Sequence, residues 1–308
     1  MTAKQPGPLR GVITPLVTPL VSRDVIDIAG LERLIEHVVR GGVHGLLVLG
    51  SCGEGPSLSH VVRHEMVDLV CRLANGRVPV LVGITDTSMA ESVKTAQRAA
   101  DAGAAALVLS APYYFVPTQA ELQSYVRNIV AQASLPVLLY NAPLYTKIEF
   151  SLDTVRHAMH LPQVIGIKDS SGDMIYFHHL LQLAQEREDF AVLIGPEQLL
   201  AEALLFGAHG GVVGGSNLDP KLYVDLYNAA TVRDIPRVAE LHQRVLRLAQ
   251  SVYTVARDDA GVIKGLKCAL SCLGICEDFL ADPLQRLRGT EREAITQRLE
   301  ELGIGVLQ

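Results

Sequence analysis

One pattern constrains this chain more than any other: short, continuously apolar runs alternate with longer stretches of helical period. The runs are Gly11–Val17, Gly45–Leu49, Pro79–Ile84, Ala106–Ser110, Pro136–Tyr140, Val164–Lys168, Ala191–Ile194 and Gly211–Gly214. Helical periodicity fills the gaps, as over Ile28–Arg40, Val61–Ala74, Met89–Ala102, Ala120–Gln132 and Tyr176–Glu186. Apolar runs that do not alternate suit parallel strands buried on both faces. Short glycine-bearing segments (Gly41–Val43, Ala102–Ala104, Phe206–Ala208) sit where a helix must stop before the next strand, and glycine supplies the left-handed residue there.

Eight β–α units in about 230 residues predict an α/β fold, a (β/α)8 TIM barrel over 1–231. A doubly wound open sheet is the alternative, but its dinucleotide-binding fingerprint is missing. Past Val232 the strand signals stop. The helical stretches Pro236–Thr254, Ala260–Leu273 and Glu291–Glu301 predict a C-terminal helical extension over 232–308.

Composition excludes several functions. With 308 residues, 49% apolar and 19% charged, the chain can bury a large core. A net charge of −6 offers no footprint for nucleic acid or an anionic membrane surface. No apolar run nears the roughly 20 residues that span a bilayer. The polar Met1–Arg10 segment has no apolar signal region, so a cytoplasmic protein is expected. Cys268, Cys272 and Cys276 fall at four-residue steps on one helix face and read as small packing residues. His60 and His64 are also four apart but lack a third ligand, so no metal is expected.

Barrels place their chemistry at the C-terminal ends of strands, so the informative residues are polar ones that end apolar runs. Lys168 follows Val164-Ile165-Gly166-Ile167, where a charge is costly. Burial disfavours the charged form of an amine, and the free amine attacks ketones. A structural salt bridge to Asp169 or Asp173 is the competing reading. Tyr140 ends the neighbouring run, where a phenol can shuttle protons or simply cover the barrel mouth. The turn Gly50-Ser51-Cys52-Gly53-Glu54-Gly55 can aim backbone N–H groups at a carboxylate, or be a tight turn and nothing more. Gly214-Gly215-Ser216-Asn217 ends the last run and suits a phosphate or close substrate approach.

These residues resemble a known family, the pyruvate-dependent class I aldolases of the dihydrodipicolinate synthase and N-acetylneuraminate lyase superfamily. The resemblance is carried in order by Gly11-Val12-Ile13-Thr14-Pro15, Gly50-Ser51-Cys52-Gly53-Glu54, Pro112-Tyr113-Tyr114, Tyr140-Asn141-Ala142-Pro143 and Gly166-Ile167-Lys168-Asp169. It implies Lys168 as the Schiff-base lysine, Tyr140 as the acid/base residue, and Ser51, Cys52 and Gly53 as the loop holding a 2-oxo acid carboxylate. It further implies that Tyr114 completes a neighbouring subunit's site, hence a homo-oligomer, tetramer or dimer. No cofactor is implied beyond the covalent imine on Lys168.

Departures from the family pattern narrow the substrate. Dihydrodipicolinate synthases carry an arginine two residues after the proline of their Y-N-x-P motif; here Tyr145 stands there and cannot form a bidentate clamp. Cys52 replaces a hydroxyl or amide donor with a weaker one. Near the seventh strand, where sialic-acid lyases are similar to an acidic pair, this chain has Glu197-Gln198, leaving Glu197 as the candidate for a polyol tail. Gly214 and Ser216 complete the candidate substrate residues. The expected activity is reversible cleavage of a 4-hydroxy-2-oxo acid, of the 2-keto-3-deoxy sugar acid or 4-hydroxy-2-oxoglutarate type, to pyruvate and an aldehyde. Condensation, keto-deoxy acid dehydration, sialic-acid cleavage and a non-catalytic small-acid sensor are the alternatives.

Overall fold

The computed structural model describes residues 8–256 and 258–305. Strand β1 (Gly11–Pro15) leads into a hairpin of β2 (Leu20–Ser22) and β3 (Val25–Ile26). Seven more strands follow: β4 (Gly45–Val48), β5 (Val80–Gly83), β6 (Ala106–Ser110), β7 (Val137–Asn141), β8 (Val164–Asp169), β9 (Ala191–Ile194) and β10 (Gly210–Val212). β1 and β4 to β10 pair in parallel and close into an eight-stranded barrel with helices between successive strands, the (β/α)8 fold. Each expected apolar run forms one barrel strand, with ends shifted by a residue or two. The hairpin was not foreseen. It is too short for a periodicity signal, and Val21 and Val25 on it are exposed.

The barrel closes where Gly11 pairs with Gly210. A Cβ on Gly210 would collide with the Gly11 backbone, so this seam needs glycine. Two apolar layers explain the unbroken runs. Ile13, Leu47, Leu81, Val108, Leu138 and Leu193 fill the barrel interior. Val12, Leu46, Val82, Leu107, Leu139 and Val192 face outward into the shell of helices. The period of two therefore turns Leu138 and Tyr140 inward and Leu139 outward.

Helix starts are fixed by side-chain caps. Asp27, Ser59, Asp173 and Asp219 accept from the first-turn amides of their helices, and Thr118 with Glu121 forms a reciprocal capping box. Helices Ile235–Tyr253, Gly261–Cys272 and Thr290–Glu301 follow the barrel, within a residue of the expected limits. The middle one packs against the first and against the Gly214–Asn217 turn, which brings it to the barrel mouth. Among the described residues no helix is long and apolar enough to cross a membrane.

Candidate active site

Tyr140 and Lys168 lie side by side because β7 and β8 pair in register, with Tyr140 opposite Lys168. Both are buried, at 8% and 5% exposure. Lys168 Nζ sits 4.0 Å from the centre of the Tyr140 ring. It makes no hydrogen bond or ion pair with a described residue. The competing salt bridge is excluded by the partners of the two nearby acids. Asp169 accepts from Asn141 Nδ2 at 2.8 Å and from Ser171, and Asp173 caps the next helix. Burial nevertheless pushes the Asp169 carboxyl up, against those bonds.

The Ser51 turn reaches the same place from β4. Ser51 Oγ lies 3.3 Å from the Tyr140 hydroxyl. Gly53 N–H donates to the Gly50 carbonyl at 3.1 Å, Glu54 N–H to Ser51 at 3.0 Å and Gly55 N–H to Gly50 at 3.2 Å. The amides of Ser51 and Cys52 are thus the ones this turn can offer a carboxylate. Cys52 is half-buried with its thiol pushed up to about 11 by burial, with the Lys168 charge pulling the other way, so it stays a neutral thiol. Gly53 differs from expectation: its N–H is spent in the turn and its carbonyl accepts from Thr18 Oγ1 at 2.6 Å, so it shapes the turn.

A cleft of about 370 Å³ opens over Tyr140, walled by Ser51, Thr85, Ser110, Tyr113 and Tyr145 among others. That suits a small organic acid. Tyr145 forms part of this wall, and burial raises its phenol to about 12, leaving it neutral.

Two expected substrate contacts, Glu197 and Ser216, are engaged by the protein itself. Glu197 is 4% exposed, and its oxygens already accept from the Tyr223 hydroxyl at 2.5 Å, the Tyr253 hydroxyl at 2.8 Å and the Gly215 amide at 2.8 Å. A carboxylate so occupied has little left for a polyol tail, and burial raises it. Ser216 is fully buried between Thr14 Oγ1 and the Val213 carbonyl, holding β1 to the last turn. Tyr114 is 85% exposed, on a loop where its φ is 101°, stacked edge-on against Phe115 and away from this cleft. Gly214 remains beside the site: a Cβ there would sit 3.5 Å from Cys52 Sγ.

Two groups escaped the sequence reading. Ser110 ends the fourth apolar run and Thr85 directly follows the third, so the rule that selected Lys168 applies to them as well. Lys267 had no such signal. It is wholly buried, donating to Glu54 Oε1 and the Thr18 carbonyl at 2.7 Å each and to the Phe279 carbonyl. Glu54 Oε2 accepts from the Ala281 amide at 2.7 Å, which ties the Ser51 turn to the C-terminal helices.

Known proteins resemble this chain over nearly its whole length. The chain is 32% identical over 304 residues to a 4-hydroxy-tetrahydrodipicolinate synthase of Bartonella bacilliformis, covering 96% of this chain and 99% of that one. A dihydrodipicolinate synthase structure from Bacteroides thetaiotaomicron superposes with a TM-score of 0.94 at 47% identity, over 96% of this chain and all of that one. A prophage protein of the dihydrodipicolinic acid synthase family from E. coli K12, in complex with pyruvate, superposes with a TM-score of 0.90 at 28% identity, over 96% and 99% of the two chains. The model of the dihydrodipicolinate synthetase family matches residues 8–302, so this chain belongs to that family and is a lyase of the class I aldolase type.

Proposed function

We propose that the enzyme reversibly cleaves a 4-hydroxy-2-oxo acid to pyruvate and an aldehyde through an imine on Lys168. The single observation that carries this reading is a buried lysine with no counter-ion among the described residues, lying against a tyrosine ring at the C-terminal end of a barrel strand. Lys168 Nζ adds to the C2 ketone and water leaves, giving a protonated imine. The C3–C4 bond then breaks, its electron pair moving into the iminium to form an enamine, while Tyr140 takes the proton of the C4 hydroxyl. The aldehyde departs, C3 is protonated, and water hydrolyses the imine to release pyruvate and the free amine. Ser51, 3.3 Å from the Tyr140 hydroxyl, passes protons to and from it. The Ser51 and Cys52 amides hold the C1 carboxylate, and no other cofactor takes part.

A lactate dehydrogenase-coupled screen of 4-hydroxy-2-oxo acids tests this directly. Pyruvate release from at least one of them is expected; no release across the panel, alongside a product from pyruvate plus an aldehyde, would replace cleavage by condensation. That second reading is favoured by the activity named for the Bartonella relative. Against it stands Tyr145, a neutral phenol in place of a bidentate cation.

The working form is a homo-oligomer, tetramer or dimer, in which Tyr114 completes a neighbour's site. What supports this is the run of exposed apolar side chains Tyr114, Phe115 and Val116 beside the cleft residue Tyr113. Sedimentation equilibrium of wild type and Phe115→Asp checks it: assembly in the first and dissociation in the second are expected, and a monomeric wild type refutes it.

A further inference from the structure

The cleft carries a pair of hydroxyls that no step of the cleavage uses. We propose that Thr85 and Ser110 form a subsite for a hydroxyl on the departing half of the substrate, so that the enzyme takes 2-oxo acids with an uncharged, hydroxylated tail in preference to those ending in a second carboxylate. The proposal deepens the imine reading above and rests on it for where the 2-oxo acid lies.

Position comes first. Ser110 ends β6 opposite Tyr140, and Tyr140 stands opposite Lys168, so the three form one row across neighbouring strands. Lys168 holds C2 and Tyr140 meets the C4 hydroxyl, so carbons beyond C4 run past Ser110 and its neighbour. That neighbour is Thr85, whose Oγ1 accepts from the Ser110 amide at 2.8 Å and lies 3.2 Å from Ser110 Oγ. Both residues line the cleft with Ser51 and Tyr140.

Donor and acceptor accounting sets the chemistry. The pair owns two hydroxyl protons, and one of them joins the two oxygens. The Ser110 amide takes one Thr85 lone pair. What remains is the Thr85 hydroxyl proton, since Ser110 Oγ is the donor both to Thr85 Oγ1 and to the Ala111 carbonyl, each at 3.2 Å, together with unused lone pairs. A group that both donates and accepts completes this set; a hydroxyl does so. A carboxylate only accepts, and it would face the remaining lone pairs of the pair.

Charge points the same way. On the cleft wall Glu54 is already paired with Lys267. Lys147 is exposed at the rim with its ammonium donating to the Leu144 carbonyl at 2.6 Å, and Asp259 offsets it on the same wall. A second carboxylate entering this cleft would lose its hydration without meeting a guanidinium fork.

Equilibrium binding to Lys168→Ala, which cannot turn over, reads the subsite apart from the imine. The probes are 2-keto-3-deoxygluconate, with a hydroxylated tail, and 4-hydroxy-2-oxoglutarate, with a second carboxylate. The first is expected to bind about 10-fold more tightly. Adding Thr85→Val with Ser110→Ala should bring the two within about twofold of each other. Ser110→Ala alone, the milder change, should lower the ratio part of the way if the double substitution disturbs folding. Lys147→Ala should leave the ratio unmoved. Equal or tighter binding of the dicarboxylate overturns the proposal, as does a ratio that survives the Thr85 and Ser110 changes or a dicarboxylate selectively weakened by Lys147→Ala. Borohydride trapping of pyruvate on the wild-type enzyme is run alongside; a missing adduct with the ratio intact sinks the imine reading alone.

Discussion

Lys168 and Lys267 are both buried and flank the same turn, yet only one of them is available for chemistry. Lys267 spends its three N–H bonds on Glu54 and the carbonyls of Thr18 and Phe279. Lys168 has the face of Tyr140 and no acceptor among the described residues. The first is a strut: it fixes Glu54, hence the Ser51 turn, to the C-terminal helices. The second has a nitrogen that no described residue claims, which is what the proposed imine chemistry requires. Burial alone does not distinguish them; partners do.

Substitutions should therefore separate the two lysines in opposite senses. Lys168→Ala is expected to lower kcat on the order of 10⁴-fold or more, measured by coupled pyruvate release. A drop of less than tenfold would mean the amine is not covalent in the reaction. Tyr140→Phe should cost about 10²–10⁴-fold in kcat while pyruvate still becomes trapped on Lys168, since imine formation and proton transfer at C4 use different groups. At Lys267 the loss is in stability. Lys267→Met leaves Glu54 buried without its cation and should cost about 3–5 kcal/mol in urea unfolding, with part recovered by adding Glu54→Gln. A change under about 1 kcal/mol would remove the strut from this account. The smallest effect has the opposite sign: Lys168→Met removes an uncompensated buried amine and should leave the fold equally stable or stabilise it by about 1 kcal/mol. If both methionine variants lost stability alike, the contrast between the two lysines would be wrong.

The parts legible in the sequence share one physical cause. Barrel strands buried on both faces read as unbroken apolar runs, so all eight were visible, and a polar residue ending such a run stands out. Lys168 and Tyr140 stand out in that way. Thr85 and Ser110 obey the same rule, but hydroxyl residues at strand ends also serve ordinary turns, and the signal does not separate the two uses. The Glu54–Lys267 pair spans 213 positions and exists only once the barrel has closed and the C-terminal helices have folded back over its mouth. The partners of Glu197 are hidden for a related reason: Tyr223 and Tyr253, which occupy it, lie 26 and 56 residues further on. Of the cysteines at four-residue steps, Cys268 and Cys276 are packed in the core and half-buried Cys272 packs against it, with Thr296 Oγ1 at 3.4 Å.

The proposed reaction turns on whether pyruvate forms an imine with Lys168. Incubating the wild-type protein with pyruvate and borohydride, then mapping the reduced adduct by peptide mass spectrometry, answers that. The predicted result is one pyruvyl group per chain, on the peptide carrying Lys168 and none on that carrying Lys267. No adduct, or one on any other lysine, contradicts the account.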